Sequence, residues 1–233
     1  MNIGDLYKDL AFGALSNLAV AGSGDGIIPP EFEPKLISHL NQSLLTIYGR
    51  FLLDEKEVVI RAIDNRTIYP LRVIHADQNS TTGVDKFIAD SVENPFFEDV
   101  IKILNVYDEE GEELVLNDPE DTTSLWSPNP YTLQIPKPVA GNAYYVMYQA
   151  RHPILVEGNL AQEIMLSPVL YPALEAHVAY RLLTPMSGQE NSAKALEYLQ
   201  TYMQICKQVE EHDLLGSSLL GEMSSKFRAR GFI

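Results

Sequence analysis

The spacing of apolar residues changes twice along this chain, and that double change limits the folds open to it. Near the start, apolar side chains return every third and fourth position. From Glu55 to about Met165 they return every second, and from Ser167 the three-and-four spacing resumes. A three-and-four stripe belongs to a helix packed on an apolar surface, and a period of two belongs to a sheet. The expected class is therefore α+β, with helices from both chain ends joined in a helical bundle and a β-rich region inserted between them. The expected divisions are 1–53 for the N-terminal helices, 54–165 for the β-rich insert, 166–213 for a C-terminal helical hairpin and 214–233 for an extended arm.

Each division carries its own signals. Ile3, Leu6, Tyr7, Leu10, Ala14 and Leu18 predict a short amphipathic helix ended by "AGSGDG". A second helix is predicted to begin at Pro29-Pro30-Glu31, where proline's fixed φ suits a first turn and Glu31 and Glu33 suit the positive end of the dipole. Its stripe is Leu36, Ile37, Leu40, Leu44, Ile47, Tyr48 and Phe51. In the insert, "EVVIRAI" and "RTIYPLRVI" read as the first strands, and "VIKILNVYDEEGEELVL" reads as a hairpin turning at Asp108–Gly111. "YTLQIPKPVAGNAYYVMYQARHPIL" reads as another pair, turning at Val139–Asn142, with a second strand that packs on both faces. Ser167-Pro168 is a cap-then-proline signal, and Pro172 pushes the regular start a turn later, with Tyr171, Leu174, Val178 and Leu182 as the stripe. Ser187 and Glu190 are spaced as a capping box for a last helix reaching about Asp213, with Ala195, Leu199, Tyr202, Cys206 and Val209 on one face.

Composition narrows the functions. Acidic residues outnumber basic ones 32 to 17, a formal net charge of -15. That balance argues against general binding to nucleic acid or an anionic membrane, because neutralising phosphates needs clustered Lys and Arg. The first residues carry Asp5, Lys8 and Asp9 within their apolar run, so no secretory leader is expected there. No stretch approaches the roughly 18 uncharged apolar residues of a spanning helix, and a soluble protein is expected. The single cysteine, Cys206, has no internal disulfide partner and fits a reducing compartment.

The catalytic and metal candidates are weak. Gly22, Gly24 and Gly26 follow a helix where a phosphate loop would follow a strand, and they lack the Gly-Lys-Ser/Thr ending, so they read as a linker. His39, His75, His152, His177 and His212 show no metal-ligand spacing and are expected at ordinary surface or interface positions. Glu175 and His177, two apart, do not share a helix face. There is no nucleophile elbow, and Cys206 sits on an apolar stripe. Neither a metal nor a cofactor is expected. The acidic runs 108–113 and 118–121 lack calcium-loop offsets and read as solvated faces. Their carboxylates, Glu109, Glu112 and Asp121 among them, would be the acid and base groups if the chain were a glycan hydrolase. A third reading is a cellular β-sandwich binding module flanked by helices.

The last twenty residues differ from the rest. They hold three basic side chains and one Glu, a net +2, against 14 basic and 31 acidic residues, a net -17, in the first 213. Phe227, Arg228, Arg230, Phe232 and Ile233 suit docking on a partner protein, with apolar side chains in pockets and Arg on carboxylates.

Taken as a whole, the layout resembles the head-to-tail adaptor proteins of tailed bacteriophages, the tail tubular or head-completion proteins of short-tailed phages in particular. The resemblance lies in the N-terminal helical pair, the β-rich middle with "YTLQIPKPVAGNAYYVMYQARHPIL", the helical hairpin "SPVLYPALEAHVAYRLLTPMSGQENSAKALEYLQTYMQICKQ" and the arm ending "KFRARGFI". It implies a homo-oligomeric ring of twelve subunits in the virion neck, between capsid and tail, assembled from protein made in the host cytoplasm. The ring would sit below the portal protein, continue the DNA channel and join it to a tail or nozzle protein, with the arm on the portal. Double-stranded DNA would pass without specific binding, repelled by an acidic lumen. No enzymatic activity and no membrane contact are implied; the alternative in the same setting is a virion-associated glycan hydrolase using acidic-loop carboxylates such as Glu109, Glu112 or Asp121.

Overall fold

The computed structural model describes residues 1–16, 26–186 and 188–216. These residues form four α-helices and two antiparallel sheets, the mixed α+β class expected from the two periods. They fall into two compact units, Met1–Ile47 with the chain from Ile154 onward, and Tyr48–Pro153.

In the first unit, helix α1 (Ile3–Phe12) opens on a capping box: Asp5 N donates to Asn2 Oδ1 at 2.8 Å, and Asn2 N donates to Asp5 Oδ2 at 3.4 Å. It buries Ile3, Leu6, Tyr7, Leu10 and Ala11. The helix stops sooner than its stripe suggests. Gly13 leaves helical geometry (φ -99°, ψ -110°) while its N–H still reaches Asp9 O at 2.8 Å. Leu15 is therefore buried where Ala14 was expected, and Leu18 with Gly22 and Gly24 lies outside the described residues. Helix α2 (Glu33–Arg50) grows out of a single 3-10 turn, Pro30–Phe32, and its apolar stripe is buried from Leu36 to Ile47.

Helix α3 (Tyr171–Leu183) also follows a 3-10 turn, Pro168–Leu170, so Pro172 delays the regular start as expected, though Ser167 makes no side-chain cap bond. Helix α4 (Gln189–Glu211) starts after Gly188 at φ 115°; the expected cap, Ser187, lies outside the described residues. α3 packs against α4, which buries Ala195, Tyr202, Cys206 and Val209 and leaves Leu199 half-buried.

The stretch Ile154–Met165 forms no regular strand. It is held by α1 and α2. Ile3 N and Gly4 N donate to Gln162 O and Leu160 O at 3.1 and 3.0 Å, and Ile164 N donates to Met1 O at 2.9 Å. Asn41 closes a two-way clamp, its Nδ2 donating to Leu155 O at 3.0 Å and its Oδ1 accepting from Leu155 N at 2.8 Å.

The second unit holds both sheets. The larger has strand order β3-β1-β8-β4-β5, with β1 Glu55–Arg61, β3 Ile88–Ala89, β4 Val100–Tyr107, β5 Glu113–Leu114 and β8 Ala143–Ala150. The smaller has order β2-β7-β6, with β2 Ile68–Pro70, β6 Trp126–Asn129 and β7 Thr132–Gln134. The β4–β5 hairpin forms as the sequence suggests. Asp108 Oδ1 accepts from Glu110 N and Glu112 N at 3.0 and 2.9 Å, and Gly111 takes φ 80° in the turn.

The second expected pair does not form. β7 pairs with β2 and β6, whereas β8 lies between β1 and β4 in the other sheet. The physical reason is that β2, three residues long, finds its complement in β7, and Ile135 N extends that pairing to Thr67 O at 2.8 Å. β8 is long enough to serve two neighbours along its length. "RTIYPLRVI" likewise yields only the short β2, because Val73–His75 turns as a 3-10 segment. Both faces of β8 are used near its end: Val146, Tyr148 and Ala150 join the apolar core, and Gln149 is buried with Nε2 donating to Tyr48 O and, at 2.9 Å, to Phe51 O.

Both sheets contribute to one apolar cluster, including Val58, Ile60, Tyr69, Phe87, Val106, Leu133 and Val146. Ile60, fully buried on β1, sits in it. The substitution Ile60→Ala should cost about 2–5 kcal/mol, whereas Glu57→Ala on the exposed face of the same strand should stay within about 0.5 kcal/mol. Urea unfolding of the two variants checks the contrast.

Candidate functional site

The arm residues on which the sequence reading leans most, Phe227, Arg228, Arg230, Phe232 and Ile233, lie outside the described residues. The candidate sites within the described structure are therefore the acidic loops, a buried polar cluster in the second unit and a buried histidine in the first.

The acidic loops use their carboxylates to hold turns. Asp108 organises the β4–β5 turn, and Asp118 Oδ1 accepts from Glu120 N at 2.9 Å. Asp121 Oδ1 accepts from both Thr123 N at 2.7 Å and Thr123 Oγ1 at 2.6 Å. Those bonds hold the Asp121 carboxyl below its usual range, the direction opposite to a general acid's. Glu109 lines a cleft of about 400 Å³ with Thr123, Lys137 and Tyr144, but its Oε1 accepts from Ala143 N at 2.6 Å. Glu112 and Asp121 are not part of that cleft's lining. The three carboxylates thus do not share that cleft.

A tighter arrangement carries no local sequence signature. Lys56 on β1, Asp99 just before β4 and Tyr148 on β8 meet although Asp99 is 43 residues from Lys56 and 49 from Tyr148 in sequence. Lys56 Nζ lies 2.6 Å from Asp99 Oδ2 and 3.6 Å from Asp54 Oδ2, and Tyr148 OH donates to Asp99 Oδ1 at 3.0 Å. The Asp99 side chain is only 9% exposed, that of Lys56 35%. Burial alone would lower the Lys56 pKa, but the hydrogen bond to Asp99 and its charge outweigh it and raise the ammonium above its ordinary value. Burial first and the Asp99 charge second push the Tyr148 phenol up, so it remains a neutral donor. At neutral pH the cluster is an ion pair with its hydrogen bonds satisfied. Beside it opens a cleft of about 280 Å³ with a mixed lining, Lys56, Glu57, Asp90 and Asn94 together with Val58, Phe96 and Tyr148.

Two of the five histidines are buried, contrary to the expectation of surface or interface positions: His152 and His177. Packing explains this. His152 sits edge-on to the Tyr48 ring with centroids 5.5 Å apart, and His177 of α3 lies 4.7 Å from the Tyr202 ring, with Nδ1 2.9 Å from Ser43 Oγ in a hydrogen bond. Glu175, on a different face as expected, is half-buried, and burial raises its carboxyl.

Among the described residues, no three His, Cys, Asp or Glu side chains gather in a metal-binding arrangement, and no helix is long and apolar enough to cross a membrane. Comparison with known protein families and with curated proteins finds no match to the chain.

Burial, and then the Arg181 charge, lower the His177 pKa from its ordinary 6.5 to about 4. Its folded-state value is thus depressed, so between pH 6.5 and 4 the unfolded chain binds the extra proton. His177 therefore favours the fold above that window, and this contribution is lost as pH falls through it. His177→Gln, which has no proton to gain, should show a shallower loss of stability than the parent between pH 6.5 and 5, by about 1–2 kcal/mol. Unfolding curves of both proteins across that range give the difference directly.

Proposed function

We propose that this protein is a structural, non-enzymatic head-to-tail adaptor of a tailed-phage virion, forming a ring below the portal that continues the DNA channel and joins it to the tail. The observation that supports this reading most is the layout: among the described residues, the helices before Tyr48 and those after Pro153 belong to one unit, and the β-rich unit lies between them in sequence. In the adaptor arrangement the helices act as the wall of a ring of twelve copies, and the β-rich unit meets a tail or nozzle protein.

Three further features agree with it. Helices of the first unit carry large apolar side chains in water, among them Phe12, Leu45, Leu196 and Met203, which suit side-to-side contacts between copies. Leu196 and Met203, seven apart on α4, share a face, and Leu199 lies half-buried between them. The net charge of -15 suits a channel that DNA must traverse, since acidic walls repel phosphate. The basic, aromatic segment Lys226–Ile233 supplies the portal anchor, with Phe227, Phe232 and Ile233 as apolar contacts and Arg228 and Arg230 as carboxylate partners.

Removal of residues 217–233, which lie beyond the turn closed by Gly216 N on Asp213 O at 2.9 Å, should leave helix content and thermal midpoint unchanged while abolishing binding to the portal in co-sedimentation. Normal particle assembly by the truncated protein would contradict the reading, as would glycan turnover that disappears in Glu109→Gln. The paired change Leu196→Lys, Met203→Lys should alter monomer stability by less than about 0.5 kcal/mol, since both side chains are exposed. The same change should prevent ring formation on portal-bearing capsids, read by electron microscopy.

A further inference from the structure

Basic side chains are few in this chain, 17 against 32 acidic ones, so a cation is expected to stand beside a carboxylate. Arg181 of α3 does not. It makes no ion pair among the described residues, and its guanidinium bonds through Nη2 to Oε1 of Gln42 on α2, an uncharged amide that positions it without neutralising it. Its charge is felt nearby. Burial first, and then the Arg181 charge, lowers the pKa of both His177 on α3 and His39 on α2, and Lys35 adds to the effect at His39. Both charges that act on His39 are thus positive. Lys35, His39 and Gln42 recur at steps of four and three along α2 and so share the face that meets Arg181.

These groups border a cleft of about 370 Å³, lined by His39, Tyr180, Arg181, Thr184 and Pro185 and by no carboxylate. Nε of Arg181 and both ring nitrogens of His39 are withdrawn from solvent and take no hydrogen-bond partner among the described residues. One ring nitrogen carries a hydrogen in either neutral tautomer, so two N–H donors beside this cleft lack an acceptor, an uncommon and costly condition in a folded protein. Turning the His39 ring about its Cβ–Cγ bond breaks no hydrogen bond. Thr184 donates to Tyr180 O twice, from N at 3.0 Å and from Oγ1 at 2.7 Å, which occupies a carbonyl at the end of α3 that would otherwise offer Arg181 an acceptor. The Tyr180 ring and Pro185 add apolar surface.

We propose that this cleft binds an organic carboxylate, with the Arg181 guanidinium as its counter-ion, His39 as a neutral N–H donor, and the Tyr180 ring and Pro185 against the carbon chain. A planar guanidinium matches a carboxylate in shape as well as in charge. Lys35, exposed on α2, draws the anion in without fixing its orientation. Two sources present such a group, a small free acid and a glutamate side chain in a partner's segment. The inference concerns residues of the first unit alone and does not rest on the adaptor reading.

The test is two-dimensional NMR of the full-length protein at constant ionic strength, titrated with glutarate for the free acid and with the blocked tripeptide Ala-Glu-Ala for the side chain. Signals of His39, Arg181 and Thr184 should shift saturably with at least one of them. Arg181→Gln should weaken binding about tenfold, and Arg181→Lys less, because the charge remains while the planar fork is lost. Lys35→Gln should weaken it by about twofold, as befits an exposed charge. With the acid bound, His39 should protonate at higher pH than without it, since the added negative charge offsets Arg181 and Lys35, and binding should therefore tighten as pH falls. Circular dichroism verifies the helix content of each variant, and Arg181→Lys and Lys35→Gln carry the test if Arg181→Gln fails to fold. Tighter binding of the tripeptide assigns the site to a partner's side chain and tighter binding of glutarate to a free acid, and both support it. No saturable shift with either probe overturns the proposal, as does binding that Arg181→Gln leaves unchanged. Inorganic phosphate binding as tightly as the better probe also overturns it, because charge alone would then be read. None of these outcomes depends on whether the chain forms a ring or binds a portal.

Discussion

The first unit depends on a short backbone contact between distant parts of the chain. Met1, Ile3 and Gly4 exchange hydrogen bonds with Leu160, Gln162 and Ile164, and Asn41 clamps Leu155 from both sides. These bonds bring together α1 and the segment leading into α3, whose apolar stripes would otherwise face water. Loop closure across more than a hundred residues is entropically costly, so these contacts form only with the burial that accompanies them. Leu6, Leu10, Leu36, Leu40, Leu174 and Val178 supply that burial, each almost fully withdrawn from solvent.

The second unit has a different centre, the strand β8. It is paired on both sides along its length, and its side chains serve both faces. Tyr148 on this strand completes the Lys56–Asp99 ion pair, joining β1, β8 and the entry to β4 through one buried carboxylate. Removing either charged partner would strand the other, so this polar contact fixes the geometry more than it adds net stability. The same strand order leaves β1 near an edge, covered by only two residues of β3.

The parts of this fold legible in the sequence are those specified by neighbours in sequence. The α2 stripe, the proline-delayed start of α3 and the Asp108–Gly111 turn are set within a few residues, and their signals were sufficient. Strand partnership was not legible, since a period of two says that a segment is a strand without saying which strand lies beside it. Hence β7 and β8, adjacent in sequence, belong to different sheets. The stripe alone puts the end of α1 too late, because a single glycine, Gly13, outweighs apolar spacing that continues past it. The Lys56–Asp99–Tyr148 cluster was invisible for the same reason as the strand order, its members having nothing in common but their place in the fold. One further signal is local: Asn2 and Asp5 have the spacing of a capping box, which the structure shows at the start of α1. The arm residues Phe227–Ile233 lie outside the described residues and enter the argument only through their chemistry.

The central claim, that this protein is a neck component built by self-association, is tested most directly by electron microscopy of the intact particle with the protein tagged after Ile233. The account predicts twelve tags in a ring between portal and tail. Tags at the tail tip or on fibres, or none in the particle, would contradict it.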